Sequence, residues 1–289
     1  MTTKLLTLFT RTPLHVGAGS SVGAVDQPII RERHTRFPVI PGSSIKGVLA
    51  DLFLDESQKP TDAGIGLFGT TEKAGTLLVG EGRLLAFPVR SAKGCFAYLV
   101  SPLTLERLAR DIDPAGKTHL LVEIANLRSQ LGSGADRAVV SEGSHLLFAD
   151  ARHVAFEEYV LDASARITPG IALVDVLAAL SSDPAWTQDF AKRLAVVSDE
   201  LFQYFAENAC EIAQHVKIDD QTGTAAPGAL FNQENVPSEA LFYATVATRE
   251  SSALDTFSKK LEDVSGLLQL GADATTGLGW CSAALKEVK

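Results

Sequence analysis

Residues 41–53 read Pro-Gly-Ser-Ser-Ile-Lys-Gly-Val-Leu-Ala-Asp-Leu-Phe, and this stretch sets the pattern for the beginning of the chain. Its apolar residues recur at positions 45, 48, 49, 52 and 53, which is the spacing of one helix face. Ser43 and Ser44 precede that face, and their hydroxyl groups can cap the free N–H groups at a helix start. Upstream, the short apolar run Leu5–Phe9 predicts a strand, and the glycines and prolines of residues 14–42 predict a loop. The chain is therefore expected to begin with a strand, a long loop and a helix.

The rest of the chain mixes strand and helix patterns without regular βαβ repeats, which favours an α+β fold over a doubly wound sheet. Residues 114–190 are the hardest to assign, because glycine and serine clusters alternate there with short apolar runs. Elsewhere the patterns predict strands at Leu84–Val89, Cys95–Val100, Leu268–Leu270 and Trp280–Leu285, and helices at Leu103–Arg110, Ser198–Ala213 and Leu254–Leu268.

The composition of this 289-residue chain is that of a globular protein, with 46% hydrophobic and 21% charged residues. Disordered and fibrous classes are therefore excluded, and no apolar run approaches the ~18 residues that a membrane span needs. The apolar run Leu5–Phe9 is also too short for the core of a signal peptide. Cys95, Cys210 and Cys281 lie far apart and form no CxxC pair, which indicates free thiols in the cytoplasm and argues against structural zinc.

Charge is distributed unevenly along a chain whose net charge is −9. Residues 1–50 contain six cations and two acids, whereas the remaining 239 residues contain 20 cations and 33 acids. A basic first segment on an acidic body is what a localised phosphate-binding face requires, because the remainder of the surface then repels nucleic acid. Random scatter of charge is the alternative interpretation of the same numbers.

Two glycine-rich segments and one aspartate are the candidates for chemistry, because the chain contains no Walker loop, no G-x-S-x-G elbow and no zinc-binding histidine pair. In residues 41–47, helix-start N–H groups and Lys46 could hold a phosphate. Residues 271–279 could approach a ligand closely, although glycines also serve ordinary turns. Asp26 precedes a proline and an arginine-rich run, where it could orient a divalent metal ion or accept a proton. A solvated aspartate paired with a neighbouring arginine is the simpler alternative.

Three consecutive segments carry a family resemblance, namely TPLHVGAG (12–19), VDQPIIRERHT (25–35) and FPVIPGSSIKG (37–47). They resemble the RAMP superfamily of CRISPR proteins, and more narrowly the repeated backbone subunits of type III-B (Cmr) RNA-guided effector complexes. Matching segments continue in the family's order to the end of the chain. They are Leu84–Ser91, Phe96–Pro102, Val197–Phe202, Gly228–Pro237 and the glycine-rich ending.

The resemblance implies one RAMP domain over residues 1–289, built on an RRM-like ferredoxin core. Such a core is a four-stranded antiparallel sheet with helices on one face. The expected insertions are residues 54–78 and 114–190, one of which is expected to contain a thumb-like β-hairpin that reaches a neighbouring subunit. Copies of such a subunit stack head to tail on the guide RNA (crRNA) beside other subunits of the complex, and base pairing selects the target RNA.

The same resemblance implies roles for individual residues. Metal-dependent cleavage of the target RNA, with Mg²⁺ or Mn²⁺ bound transiently at Asp26, is expected to involve Asp26, His15 and Glu234. Relatives often carry Tyr-Glu-Glu where this chain has Asn232-Gln233-Glu234, so only the last acid of that pattern is kept. The residues expected to contact RNA are Gly42, Ser43, Ser44, Lys46, Arg31, Arg33, Gly271, Gly277 and Gly279.

Three functions remain open from the sequence. The first is an RNA-guided endoribonuclease subunit acting in antiviral defence, which the presence of Asp26 and His15 favours. The second is a scaffold that binds crRNA without cutting, for which the altered Asn232-Gln233 positions leave room. The third is the equivalent subunit of a type III-A complex, which shares the Pro41–Gly47 loop.

Overall fold

A computed structural model of the chain describes residues 1–113, 119–134, 136–167, 172–181, 183–218 and 221–287. Their strands are β1 (Thr2–Thr10), β2 (Val39–Ile40), β3 (Leu78–Val79), β4 (Gly82–Arg90), β5 (Phe96–Val100), β6 (Ala138–Ser141), β7 (His153–Phe156), β8 (Tyr159–Asp162), β9 (Arg166–Ile167), β10 (Leu194–Val197), β11 (Glu211–Ile218), β12 (Ala225–Asn235), β13 (Leu241–Thr248), β14 (Leu267–Gln269) and β15 (Trp280–Glu287). The helices are α1 (Gly42–Asp51), α2 (Asp62–Phe68), α3 (Pro102–Ile112), α4 (Leu120–Leu131), α5 (Ala172–Ala179), α6 (Pro184–Arg193), α7 (Asp199–Asn208) and α8 (Ser251–Asp263), with a 3₁₀ turn at Ala274–Thr276.

Four strands in the order β15-β1-β13-β4 form the centre of the main sheet, and each adjacent pair is antiparallel. Helix α1 lies between β1 and β4 in the chain, and α8 lies between β13 and β15. These elements follow the β-α-β-β-α-β order of a ferredoxin-like fold. The α+β prediction is therefore confirmed, and its first strand and first helix lie where the sequence places them.

The central strand β1 carries apolar residues on both faces, which explains why its apolar residues occur in the consecutive pairs Leu5-Leu6 and Leu8-Phe9. Leu6 and Leu8 belong to a core that also contains α1, α2, α7 and α8 residues. Leu5 and Phe9 belong to a second core that also contains α3, α4, α5 and α6 residues. Because side chains alternate between the faces of a strand, a sheet covered on both sides needs apolar residues at consecutive positions. The two helices of the four-stranded core, α1 and α8, contribute to one core, and the helices of the other core come from the insertion between β4 and β13.

The second core belongs to a large insertion between β4 and β13. Strands β5, β10, β6 and β9 continue the main sheet beyond β4, and α3 to α6 cover this extension. The expected insertion at 114–190 contributes to it, although residues 114–118, 135, 168–171 and 182 of that range lie outside the described residues. Residues 54–78 form a shorter excursion that contains α2. No helix among the described residues is both long and apolar enough to cross a bilayer.

The predicted helix Ser198–Ala213 is wrong in its last third, because α7 ends at Asn208 and the chain turns into a β-hairpin. Ser198 caps α7 through its hydroxyl oxygen, which accepts a hydrogen bond from the Leu201 N–H at 3.2 Å. Strands β11 and β12 form a two-stranded antiparallel sheet that is separate from the main sheet. This hairpin lies outside both ranges predicted for a thumb, although the shorter hairpin β7–β8 lies inside 114–190.

The three cysteines are unpaired, but they differ in environment. Cys95 is exposed, whereas burial raises the pKa of Cys210 and of Cys281 to about 12. Since the thiolate is the reactive species, we expect one fast-reacting thiol per native chain and three after denaturation. Titration with a chromogenic disulfide reagent measures the number of fast-reacting thiols in the native and the denatured chain, and Cys95→Ser is the control. Any fast-reacting thiol in native Cys95→Ser would contradict the burial of Cys210 or Cys281.

Candidate functional site

The loop after β1 is held against the end of β12 by backbone hydrogen bonds. The N–H groups of Leu14 and Val236 each donate to the other residue's carbonyl, at 2.8 and 2.9 Å. Further along, the Gln27 N–H donates to Asn232 O at 3.0 Å, and the Glu234 N–H donates to Gln27 O at 2.9 Å. The loop therefore pairs with β12 like a short additional strand, which brings residues 14–29 to residues 232–236.

Asp26 lies on the exposed side of this pairing. Its Oδ2 accepts a hydrogen bond from the Asn232 N–H at 2.8 Å, which fixes the carboxylate against β12. Its Oδ1 has no hydrogen-bond partner among the described residues. The carboxylate is thus anchored by one oxygen, and the other is available for a metal ion or a proton.

His15 is buried beside the same strand, and its tautomer follows from its partner. The ring nitrogen Nδ1 lies 2.7 Å from Glu234 O. Because a carbonyl oxygen only accepts, Nδ1 carries a proton, and Nε2 of the neutral ring is an acceptor. Gly17 leaves room for this ring, since a Cβ built at Gly17 would lie 2.7 Å from Nε2.

Glu234 uses both oxygens of its side chain within the protein. Oε2 accepts from the Ile29 N–H at 3.0 Å, and Oε1 accepts from Arg31 Nη2 at 2.5 Å. Only 10% of the Glu234 side chain is exposed. The geometry therefore supports a role in holding the loop, in addition to or in place of the predicted role in cleavage.

The arginines near Asp26 differ in their availability to RNA. Arg31 is 5% exposed and donates to protein atoms, so its position does not support the predicted RNA contact. Arg36 pairs with Glu207, at 3.2 Å from Nε to Oε1. Arg33 is exposed and has no ion-pair partner in the described part of the chain. Of the two arginines predicted to bind RNA, Arg33 alone presents its charge to solvent.

Helix α1 begins without a side-chain cap. Its N-cap residue is Pro41, so the prediction that the serines cap the helix is wrong, and Ser43 and Ser44 lie inside the first turn. Their hydroxyls make no hydrogen bond to other described residues, and Lys46 has no ion-pair partner among them. An uncapped helix start with free hydroxyls and a lysine is well suited to bind an anion. Gly42 is needed for packing here, because a Cβ would lie 2.9 Å from the carbonyl oxygens of Val79 and Gly80.

The second glycine-rich segment, residues 271–279, is docked on the His15 strand segment. The Ala272 N–H donates to His15 O at 2.9 Å, and the Gly279 N–H donates to Pro13 O at 2.8 Å. On the β12 side, Gln233 Nε2 donates to Asp273 Oδ2 at 2.6 Å. The segment therefore joins the cluster that contains His15, Asp26 and Glu234.

The structure thus brings together some of the predicted residues and leaves others separate. His15, Asp26, Glu234 and residues 271–279 are linked by hydrogen bonds, whereas none within the described chain connects the start of α1 to them. Two contacts in this cluster, Arg31–Glu234 and Gln233–Asp273, were not predicted from the sequence. Each joins residues at least 40 positions apart, so no local pattern could have indicated either contact.

Metal ligands are sparse at this site. The described residues contain no group of three or more His, Cys, Asp or Glu side chains that could hold a metal ion. Mg²⁺ is nevertheless commonly bound through one or two carboxylates together with substrate phosphates and water. The free Oδ1 of Asp26 fits that mode, in which the substrate supplies most of the remaining ligands.

The fold and the site together define a ferredoxin-like α+β protein that carries a polar cluster on loops beyond the end of β1. Its sequence matches the family model of the RAMP superfamily over residues 7–282. The chain belongs to the RAMP superfamily.

Individual relatives agree with this assignment. The chain is 36% identical to "CRISPR system Cmr endoribonuclease Cmr4" of Pyrococcus furiosus, covering 98% of this chain and 96% of that protein. The crystal structure of oligomeric Cmr4 from Pyrococcus furiosus superposes with a TM-score of 0.73 at 29% identity, covering 100% of this chain and 99% of that one. A subunit of the type III-B Cmr-beta complex bound to cognate target RNA has a TM-score of 0.77 over 99% of this chain and 97% of its own, but its 18% identity supports the fold alone.

Two glycines of the 271–279 segment provide a test of its packing. Both Gly277 and Gly279 have positive φ, at 87° and 77°. A Cβ at Gly279 would lie 1.9 Å from Leu270 O, whereas a Cβ at Gly277 meets no atom within 4 Å. We expect Gly277→Ala to lower the free energy of unfolding by about 1–2 kcal/mol, the cost of the left-handed conformation. Gly279→Ala should cost about 3 kcal/mol or more, because the backbone must also move.

Urea titration of both glycine variants measures this difference. Equal losses of stability would show that the Gly279 backbone relaxes freely, which would contradict a rigid docking of the segment on Pro13, His15 and Leu270.

Proposed function

We propose that this protein is the backbone subunit of a type III-B CRISPR effector complex and cleaves the target RNA that pairs with its crRNA. The observation that carries the proposal is the joint placement of Asp26, with one free carboxylate oxygen, and His15, with a fixed tautomer, on a single loop paired to β12. The Pyrococcus furiosus relative named as a Cmr endoribonuclease supports it over almost the whole chain.

The cleavage chemistry needs little from the protein, because RNA carries its own nucleophile in the 2′-hydroxyl. One nucleotide must be splayed out so that its 2′-oxygen lies in line with phosphorus and the leaving oxygen. Oδ1 of Asp26 is free either to accept the 2′-hydroxyl proton or to hold a divalent ion. As the 2′-oxygen bonds to phosphorus, the bond from phosphorus to the 5′-oxygen breaks, and Nε2 of His15, once protonated, can give that leaving oxygen its proton.

A divalent ion fits the Asp26 side of this site. Mg²⁺ or Mn²⁺ would be held by Asp26 Oδ1 and by phosphate oxygens, and when bound it neutralises negative charge on the phosphate. The protein's own contribution is to hold Asp26 through the Asn232 N–H, so that the carboxylate is oriented before RNA arrives.

Guide binding is assigned to exposed basic and helix-start groups outside the cleavage cluster. The N-terminus of α1 with Ser43, Ser44 and Lys46 offers N–H groups, hydroxyls and one charge to crRNA phosphates. Arg33 adds an exposed positive charge. A Cβ at Gly277 would meet open space, so the 271–279 segment can approach the RNA backbone closely there.

Contacts with further copies are assigned to the β11–β12 hairpin, which takes the place of the predicted thumb. Ile212, Val216, Ile218 and Leu230 of this hairpin are each at least half exposed. Apolar side chains on a protruding hairpin are typical of a surface that another chain covers. Head-to-tail stacking of copies, on crRNA and beside other subunits of the complex, would cover these side chains.

The three free thiols are consistent with a cytoplasmic location.

A crRNA-binding scaffold without cleavage is the second candidate, favoured by one observation. Asn232 and Gln233 replace the tyrosine and first glutamate that relatives often carry, and Asn232 here contributes its backbone N–H to Asp26. The type III-A alternative is weaker, because the match to Csm3 of Enterococcus italicus covers 14% of this chain, against 98% for the Cmr4 match.

Asp26→Ala tests the cleavage assignment. Removing the free carboxylate should lower the cleavage rate by about 10²–10⁴-fold, while crRNA and target binding stay unchanged. The measurement is a denaturing gel of end-labelled target RNA cut by the reconstituted complex, with and without Mg²⁺. Asp255→Ala, which removes an exposed acid on α8, is the matched control. An uncut target with the wild-type complex still bound would instead favour the scaffold function.

Tryptophan fluorescence tests RNA binding near the 271–279 segment. The chain has two tryptophans, of which Trp186 is 0% exposed and Trp280, directly after Gly279, is 36% exposed. We expect crRNA to quench the Trp280 emission, because bases near an indole stack on it or shield it from water. In Trp280→Phe, Trp186 is the remaining tryptophan, and crRNA should not change its fluorescence. RNA bound in a filter assay without any quenching in the wild type would place the guide away from this segment.

A further inference from the structure

We infer that Arg31 is a positioning residue for RNA cleavage: its buried guanidinium ties Glu234 to the loop and thereby holds His15 and Asp26 in place. This inference rests on the proposed function, because it concerns the same cleavage site. It differs from the prediction from sequence, in which Arg31 adds positive charge for RNA.

The contacts of Arg31 account for most of its hydrogen-bond donors. Nη2 lies 2.5 Å from Glu234 Oε1 and 3.3 Å from Cys210 Sγ. Nη1 donates to Arg36 O at 2.7 Å and to Ala206 O at 2.8 Å. One guanidinium therefore joins the loop that carries Asp26, the C-terminal end of α7 and the end of β12.

Glu234 transmits this restraint to the two residues assigned to cleavage. Its Oε2 holds the Ile29 N–H at 3.0 Å, and its backbone oxygen holds His15 Nδ1 at 2.7 Å. Two residues before it, the Asn232 N–H holds Asp26 Oδ2 at 2.8 Å. A shift of this short part of β12 would therefore misplace both His15 and Asp26.

A carboxylate this well buried depends on its cation. The Glu234 side chain is 10% exposed, and without Arg31 it would be left as an unpaired charge. The end of β12 would then have to open to water, or Glu234 would have to bind a proton. Either change alters the hydrogen bonds that hold Ile29 and His15.

Lysine cannot reproduce this arrangement. Arginine presents a planar fork of donors, which here serves a carboxylate oxygen, a sulphur and two carbonyl oxygens from separate segments. A lysine ammonium keeps the charge but donates from one point, so it can satisfy Glu234 or the carbonyls rather than all of them. Arg31→Lys therefore keeps the positive charge and removes the fork of hydrogen-bond donors.

The experiment compares three variants in the reconstituted complex: Arg31→Lys, Arg33→Met as a change in the RNA-binding surface, and Arg249→Lys as the control at an exposed arginine after β13. Single-turnover cleavage gives the rate, and filter binding gives Kd for crRNA and for target RNA. We expect Arg31→Lys to cut about 10–100-fold more slowly with Kd within about twofold of wild type, as for a small misplacement of reacting groups. Arg33→Met should raise the Kd for crRNA, whereas Arg249→Lys should match wild type in both rate and Kd.

Glu234→Gln distinguishes positioning from direct catalysis. The amide oxygen can still accept from the Ile29 N–H or from Arg31, so a positioning role leaves cleavage within about tenfold of wild type. A direct role as base would instead reduce cleavage as much as Asp26→Ala does. Melting temperatures of all variants show whether each one remains folded.

Two outcomes would overturn the inference. Cleavage at the wild-type rate by Arg31→Lys would show that the fork is unnecessary, and weakened RNA binding at an unchanged rate would make Arg31 an RNA contact.

A second readout does not depend on cleavage. The imidazole ¹⁵N shifts of His15 in the free subunit report which ring nitrogen carries the proton, and we expect Arg31→Lys to mix the two tautomers. Unchanged shifts would overturn the inference even if wild type fails to cut RNA. If the wild-type complex does not cut RNA, that result contradicts the proposed function and leaves this inference to the ¹⁵N measurement.

Discussion

The antiparallel pairing of β1 with both β13 and β15 is the constraint on which the site depends. Its register places Phe9 opposite Leu241 on one side and Thr10 opposite Cys281 on the other. The chain segments that adjoin these three strand ends must therefore meet at one place. They are the loop after β1, the end of β12 that leads into β13, and the glycine-rich segment that leads into β15.

Within that meeting point, buried polar groups determine the geometry. His15, Gln233 and Glu234 are buried, and each has a polar partner at hydrogen-bond distance. A buried polar group without a partner costs free energy, so each of these contacts restricts how the three segments can move. Asp26 stands at the edge of this network with one oxygen inside it and one outside, which is the arrangement expected of a residue that meets a substrate.

The groups assigned to RNA binding differ from the buried cluster because they are not paired with other protein groups in the described chain. Lys46 and Arg33 have no ion-pair partners in the described chain, and the start of α1 lacks a side-chain cap. Such groups are tolerated at a surface because water forms hydrogen bonds with them until a ligand displaces that water. The acidic remainder of the chain limits non-specific attraction of nucleic acid to other faces.

Short-range sequence patterns were sufficient to identify the family and several of the local elements. The apolar residues of β1, the helical spacing of α1 and the motif around Asp26 are short-range patterns, so the α+β class, RAMP membership and the choice of His15 and Asp26 as candidates were all accessible from the sequence. The end of α7 was not, because residues 209–213 continue its apolar spacing, and only pairing with β12 makes residues 211–213 part of a strand. Tertiary structure alone decided that Arg31 is buried against Glu234 and that Arg33 is exposed. The reason is physical: burial and charge pairing depend on contacts across 203 residues of chain, whereas sequence patterns report neighbours within a few turns.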